Sequence, residues 1–244
     1  MTTRHRPAAG AFLVLATLAV SACGGDGGPA EPTGPTIPPD PASIVEVSAA
    51  AMGDVTSVRF GVQPSGTPIY IDSFESIALN SLIGRFTVPR SADALLEVEV
   101  NGSLTTELGA IALDDEVWLS NPVTGDFEPL PPGYDIDPSR FFDPENGWRP
   151  LLANLEDVEL VGVEERDGTR YHVRGTAPAE QIEVITAGLV RNQDVTVDFW
   201  IQPVSGLVYA AEFTTSLGGG TVDWVLELSE FGETFSIAPP PSGT

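Results

Sequence analysis

Asp194-Val195-Thr196-Val197-Asp198-Phe199-Trp200-Ile201 is the stretch on which the fold turns. Val195, Val197, Phe199 and Ile201 fall on one side of a period-two alternation, and Asp194, Thr196, Asp198 and Trp200 on the other. That pattern belongs to a strand with one apolar and one solvated face, the usual state of an antiparallel sheet. The same alternation recurs outward from it. Val222, Trp224, Leu226 and Leu228 alternate with Thr221, Asp223, Val225 and Glu227. Val58, Phe60 and Val62 alternate with Ser57, Arg59, Gly61 and Gln63, and Leu96, Val98 and Val100 with Glu97, Glu99 and Asn101.

Turn residues stand where hairpins need them: Asn101-Gly102, Asp167-Gly168, Ser205-Gly206 and Gly218-Gly219-Gly220. Asp114-Asp115-Glu116 reads as a further hairpin turn. Helical signals are few. Ser43–Met52 is predicted helical, capped by Ser43 with Glu46 three residues on and stopped by Gly53. Pro144–Leu155 is predicted to hold a short helix. Pro178–Leu189 is predicted to start with proline at its first position and to present Ile182, Ile185 and Leu189 as one stripe. About ten strands and a few helices make an α+β domain, a single large curved antiparallel sheet with helices covering its concave face.

The N-terminus has a different character. Arg4-His5-Arg6 precedes the apolar run Ala11–Val20, long enough for a signal-peptide core and too short to span a bilayer. Val20-Ser21-Ala22-Cys23 follows and resembles a bacterial lipobox, in which an apolar and two small residues precede a cysteine that is diacylglycerylated and becomes the new N-terminus. Cys23 is the one cysteine, so no intrachain disulfide can form. Residues 1–22 are therefore read as a lipoprotein signal peptide, and Cys23 as the lipidation site. Gly24–Pro41 holds five glycines and six prolines, a composition unable to bury enough to order itself. Residues 23–42 form a tether, 43–238 the domain and 239–244 a tail. The expected location is the cell membrane, lipid-anchored, on its extracytoplasmic side.

Charge excludes some functions. The formal net charge is −24, and all 11 basic residues are arginine. Such a surface repels phosphate backbones and anionic headgroups alike, which argues against nucleic acid and against a basic membrane patch.

Catalytic signals are weak. His172 is the one histidine beyond the leader, and strand parity points it to solvent between Tyr171 and Val173. There is no GxSxG motif and no phosphate loop. Asp135, Asp137 and Asp143 lack the glycine and closing glutamate of a calcium loop. The reading is of a protein without catalytic, metal or cofactor sites. Trp224 looks inward; Trp200, on the polar side, belongs at a rim or under a helix.

The run Leu130-Pro-Pro-Gly-Tyr-Asp-Ile-Asp-Pro-Ser-Arg-Phe-Phe-Asp-Pro-Glu-Asn-Gly-Trp-Arg-Pro-Leu-Leu152 resembles the central segment of the LppX/LprA/LprF/LprG lipoproteins. Ser57–Phe60 resembles their first strand, Arg174–Ala179 and Val197–Ile201 later landmarks, and Leu226–Phe231 their closing strand. The resemblance implies a half-open β-barrel over helices, similar to LolA and LolB, with a cavity for the acyl chains of multiply acylated envelope lipids. This chain differs in having no lysine at all. On that reading the protein binds acylated lipids or glycolipids and helps carry them across the envelope. The alternative is a surface lipoprotein of the same fold with a filled core, acting as an interaction or signalling module. A membrane transporter partner would fit the carrier role, and the sequence names none.

The inward residues are the candidates for a cavity lining: Val58, Phe60, Val62, Val98, Val100, Val195, Val197, Phe199, Ile201, Val222, Trp224 and Leu226. Phe141, Phe142 and Trp148 are candidates for its mouth. A bulky residue at Val197 is expected to block uptake.

Overall fold

The computed structural model describes residues 39–240 except 115, 131–138, 140, 141, 144 and 187. The readings placed on Val20, Ser21, Ala22, Cys23, residues 24–38, Asp135, Asp137, Phe141 and 241–244 lie outside the described residues.

The chain runs α1 (Pro41–Gly53), β1 (Ser57–Gly66), β2 (Ile77–Thr87), β3 (Ser91–Val100), β4 (Leu104–Leu113), β5 (Glu116–Ser120), β6 (Phe127–Pro129), α2 (Trp148–Ala153), β7 (Glu156–Glu165), β8 (Thr169–Ala177), α3 (Ala179–Ile185), β9 (Val195–Ile201), β10 (Val208–Leu217) and β11 (Gly220–Ser229). All 11 strands form one sheet in the order β6-β5-β4-β3-β2-β1-β11-β10-β9-β8-β7. It is two antiparallel meanders joined where β1 pairs with β11, with Phe60 opposite Leu228 and Val62 opposite Leu226. The sheet does not close. One edge, β6, is three residues long and ends in Pro129. The other, β7, exposes Glu156, Asp157, Glu159, Glu164 and Glu165. Short, proline-bearing and charged edges discourage further pairing.

The hairpin turns stand as expected. Asn101 and Gly102 adopt φ of 51° and 65°, and Asp167 and Gly168 51° and 93°, the left-handed pair a two-residue turn requires. The helices depart from expectation at their ends. Asp40, rather than Ser43, caps α1, its carboxylate accepting the Ser43 N–H at 3.1 Å. Pro41 then occupies the first turn, where its missing N–H costs nothing. The helix expected to reach Leu189 stops at Ile185. Gly188, at φ 76°, donates its N–H to the Glu183 carbonyl at 2.7 Å and turns the chain away. Pro178 sits just outside this helix, with extended ψ of 150°.

The inward face carries two cores. The larger joins Ile44, Val45 and Met52 of α1 and Trp148, Leu151 and Leu152 of α2 to the inward residues of β1 and β8–β11. The smaller is Leu79, Ala94, Leu96, Val98, Leu108 and Ala110 on β2–β4. Helices thus cover the C-terminal meander and β1, while the end of α3 and Leu189 reach the cavity side of β2–β5.

His172 is the clearest departure. Parity places it correctly on the outer face, yet it is only 9% exposed. Its strand partner is Trp200, and the two rings stack at 4.6 Å. Its Nδ1 lies 2.7 Å from a Glu164 carboxylate oxygen and its Nε2 2.7 Å from one of Asp198. Trp200 is neither at a rim nor beneath a helix: its indole N–H donates to Glu164 at 2.8 Å and Arg166 lies over its ring at 4.2 Å. That indole hydrogen bond, with His172, holds the Glu164 carboxyl below the usual range. Alternation tells which way a side chain points, and the cross-strand neighbour decides whether water reaches it.

Candidate functional site

The N-terminal meander is paved with small residues. Across the strands, Phe60 stands opposite Gly84, Gly84 opposite Ala94, Ala94 opposite Ala110, and Ala110 opposite Leu119. A Cβ at Gly84 would come 2.4 Å from the Phe60 ring, so the glycine is what lets that ring lie across β2. Beyond it, two alanines leave room that larger residues occupy in the other meander.

That room is a partly enclosed apolar cavity of about 60 Å³, or about 780 Å³ when the open space around its mouth is included. Val62, Leu79, Leu82, Ala94, Leu96, Ala110, Val117, Leu119 and Trp224 line it from the sheet. Ile71 and Leu130 complete the sheet side, and Ile185, Thr186 and Leu189 form the cover. Every lining side chain but one is hydrocarbon or indole. The exception, Thr186, is already committed: its hydroxyl donates to the Ile182 carbonyl at 2.8 Å and accepts the Val190 N–H at 3.1 Å. Trp224 turns its own N–H away to the Thr215 hydroxyl at 2.8 Å. Among the described residues that line it, no side chain is free to hold a charged or hydrogen-bonding group, and among the described residues no cluster of metal-ligating side chains occurs.

Of the twelve lining candidates, Val62 and Trp224 face this cavity. Phe60, Val62 and Leu226 border a second, almost filled void of about 10 Å³, together with Phe142, Trp148, Ile185 and Leu228. Val58, Val195, Val197, Phe199, Ile201 and Val222 sit in the helix-covered core. Val98 is sealed in the smaller core, with Val100 packed beside it. Phe142 stacks on Phe86 at 4.9 Å and Trp148 is 2% exposed, so both are interior residues rather than a rim. The cavity residues the sequence reading passed over are mostly those of β2–β5. The small inward residues Ala94 and Ala110 were the available signal.

Asp72 fixes one wall. Its carboxylate accepts N–H groups from Ser76 at 2.9 Å, Ile77 at 2.7 Å and Phe74 at 3.3 Å, and the Ser76 hydroxyl at 2.7 Å. The loop so closed lets the Ile71 N–H reach the Ile77 carbonyl at 2.9 Å and sets the Ile71 side chain against the cavity. Burial alone would raise this carboxyl, but the bonds from Ser76, Ile77 and Phe74 outweigh it and hold it below the ordinary range. A lowered carboxyl stabilises the fold at pH above its unfolded value, about 3.9, and loses that contribution as pH falls through the folded one. Asp72→Asn is therefore expected to cost about 1 kcal/mol at pH 7, allowing for solvent screening. The difference should shrink towards zero in acid, as read by urea unfolding at both pH values. A cost that stays constant down to pH 2 would mean that the charge is not what closes the loop.

Among the described residues no helix is long and apolar enough to cross a membrane. The profile of the LppX_LprAFG lipoprotein family matches residues 40–237. No curated protein matches the chain in sequence. Of solved structures, LprF from Mycobacterium bovis superposes with a TM-score of 0.64 at 18% identity, covering 82% of this chain and 97% of that one. The Mycobacterium tuberculosis lipoprotein LppX superposes with a TM-score of 0.56 at 22% identity, covering 82% and 100%. At those identities the two structures speak for the open, single-sheet fold, and the family match over residues 40–237 speaks for kinship. The chain belongs to the LppX_LprAFG lipoprotein family.

Proposed function

We propose that this protein is a lipid-anchored carrier, held by Cys23 on the extracytoplasmic side of the cell membrane, that shelters the acyl part of an envelope lipid or glycolipid. The observation that carries the reading is a cavity lined almost wholly by hydrocarbon, its one lining hydroxyl already bonded. A folded protein loses dispersion contacts around unfilled apolar space, so such space is kept where something else fills it. Exposing a 16-carbon chain to water costs about 12 kcal/mol at ~0.8 kcal/mol per methylene, so an apolar lining is what a carrier of such a chain needs. A lining whose one hydroxyl is already bonded on both sides suits a cargo that needs no polar recognition inside, and offers no group for catalysis.

The test uses the full chain carrying Cys23→Ser, so that its own lipid does not compete. After native mass spectrometry for retained lipid, the delipidated protein is mixed with phosphatidylcholine vesicles containing a fluorescent fatty acid. Retained acyl lipid, or transfer of the fluorophore to the protein, is the expected result. A clean protein mass together with no transfer would overturn the reading and leave the interaction-module alternative.

A further inference from the structure

Resting on the carrier reading, we infer that two adjacent hairpin tips carrying Tyr70, Phe74 and Leu104 are a membrane-docking edge, which seats the domain on a zwitterionic bilayer beside its cavity. After β1 ends at Gly66, residues 69–71 fold against the start of β2. There the Leu79 N–H donates to the Ile69 carbonyl at 2.8 Å and the Ile71 N–H to the Ile77 carbonyl at 2.9 Å. Residues 72–76 are the tip of this short hairpin, drawn together by the Asp72 carboxylate, and Phe74 stands on it 84% exposed. Among the described residues it is the one phenylalanine that is neither buried nor half-buried. The turn between β3 and β4 lies alongside, tied by the Asn101 N–H donating to the Ser76 carbonyl at 2.8 Å. It adds Leu104, 61% exposed, to Phe74 and to Tyr70, 41% exposed.

What covers these side chains follows from area, charge and reach. The three expose about 350 Å² between them, well short of the ~800 Å² that a stable protein interface takes from each partner. Aromatic and aliphatic side chains set among Ser73, Ser76, Asn101, Gly102 and Ser103 suit the headgroup region of a bilayer, where a ring sits at the boundary and its polar neighbours stay wet. Charge selects the kind of bilayer. Residues 67–77 and 99–107 hold no arginine but include Asp72, Glu75, Glu99 and Glu107, so anionic headgroups repel the edge and apolar insertion alone holds it. Reach permits the contact. Cys23 precedes Asp40 by 17 residues, a contour of up to about 60 Å, long enough for a tip of the domain to meet the bilayer that holds the anchor. Ile71, next to the Asp72 turn, lines the cavity. A docked tip therefore brings that wall to the lipid surface, and an acyl chain passing between the two crosses little water.

The experiment places the lipidated full chain in phosphatidylcholine vesicles. With Cys23 taken up by its own lipid, one introduced thiol is the single free one and carries an environment-sensitive fluorophore. Ser73→Cys puts it on the tip. Val204→Cys puts it at a 93% exposed position between β9 and β10, at the other end of the sheet. Nitroxides on the lipid acyl chains should quench the Ser73 label at least fivefold more strongly than the Val204 label. That quenching should fall at least twofold at low salt when half of the lipid is phosphatidylglycerol. Phe74→Ser combined with Leu104→Ser should return the tip label to water and slow uptake of a fluorescent fatty acid from the vesicles at least fivefold, with the amount bound at equilibrium and the circular dichroism unchanged. A Ser73 label quenched no more than the Val204 label, or a double variant that loads at the parent rate, would overturn the docking edge and leave the carrier reading standing. Energy transfer between tip labels of different molecules, without quenching from the lipid, would overturn it too and give the tips to a second copy of the chain. A quenched tip on a protein that takes up no fatty acid would overturn the carrier reading and leave the docking edge.

Discussion

Cys23→Ser is expected to shift the protein from almost wholly membrane-bound to almost wholly soluble, with roughly nine-tenths or more of it changing fraction. The size of the effect follows from what else is available to hold the chain. One acyl chain binds a bilayer only marginally, whereas the two of a diacylglyceryl group anchor it stably, each chain contributing on the order of 10 kcal/mol at ~0.8 kcal/mol per methylene. No second attachment is evident. The net charge of −24 repels anionic headgroups, and among the described residues no helix can cross a bilayer. Ultracentrifugation of cell lysates with quantitative blotting reads the fraction, and the intact mass reads the lipid. A serine variant that has lost its leader yet still sediments with membranes would show that something other than this thiol holds it.

Much of the fold was legible because the strands are regular. The alternation around Val197 and Trp224 identified two sheet faces, and pairs such as Asn101-Gly102 fixed the hairpins. Helix ends were harder, since they hang on single residues whose role depends on geometry: Asp40 with Pro41 at one end of α1, and Gly188 just past α3. His172 was read as a solvent-facing residue because its own strand says so, while the Trp200 ring that covers it comes from the neighbouring strand. The cavity lies away from the expected strands for a related reason. Alternation separates inward from outward but carries no information on which inward residues a helix will cover. Val195, Val197 and Phe199 point inward as expected and share the larger core with residues of α1, α2 and α3. Ala94 and Ala110 point inward equally and meet open space. Small inward residues on adjacent strands are the trace that this void leaves in the sequence.

The contrast between those halves makes Val197→Trp and Ala110→Phe opposite experiments, although both enlarge an inward side chain of the same sheet. Val197 is fully buried among residues of the larger core, and a tryptophan there has no space to enter. Overpacking of this kind costs about 1–3 kcal/mol or more, so Val197→Trp should lower the melting temperature by several degrees, on the order of 5 °C. Its effect on lipid uptake should follow only from lost folded protein. Ala110 stands opposite Ala94 and Leu119 at the floor of the cavity. A phenyl ring there extends into unfilled apolar space, and filling such space is neutral or stabilising, by up to about 1 kcal/mol. Ala110→Phe should thus melt at or above the parent temperature while fatty-acid uptake falls at least tenfold. Thermal denaturation and a fluorescent fatty-acid titration on the same preparations separate the two effects. The decisive quantity is the ratio of uptake to folded fraction: it should be unchanged for Val197→Trp and collapse for Ala110→Phe. An Ala110→Phe protein that folds and still takes up fatty acid undiminished would place the cargo somewhere other than the N-terminal meander. A Val197→Trp protein that keeps its stability but loses uptake would place it under the helices, where the sequence alone first put it.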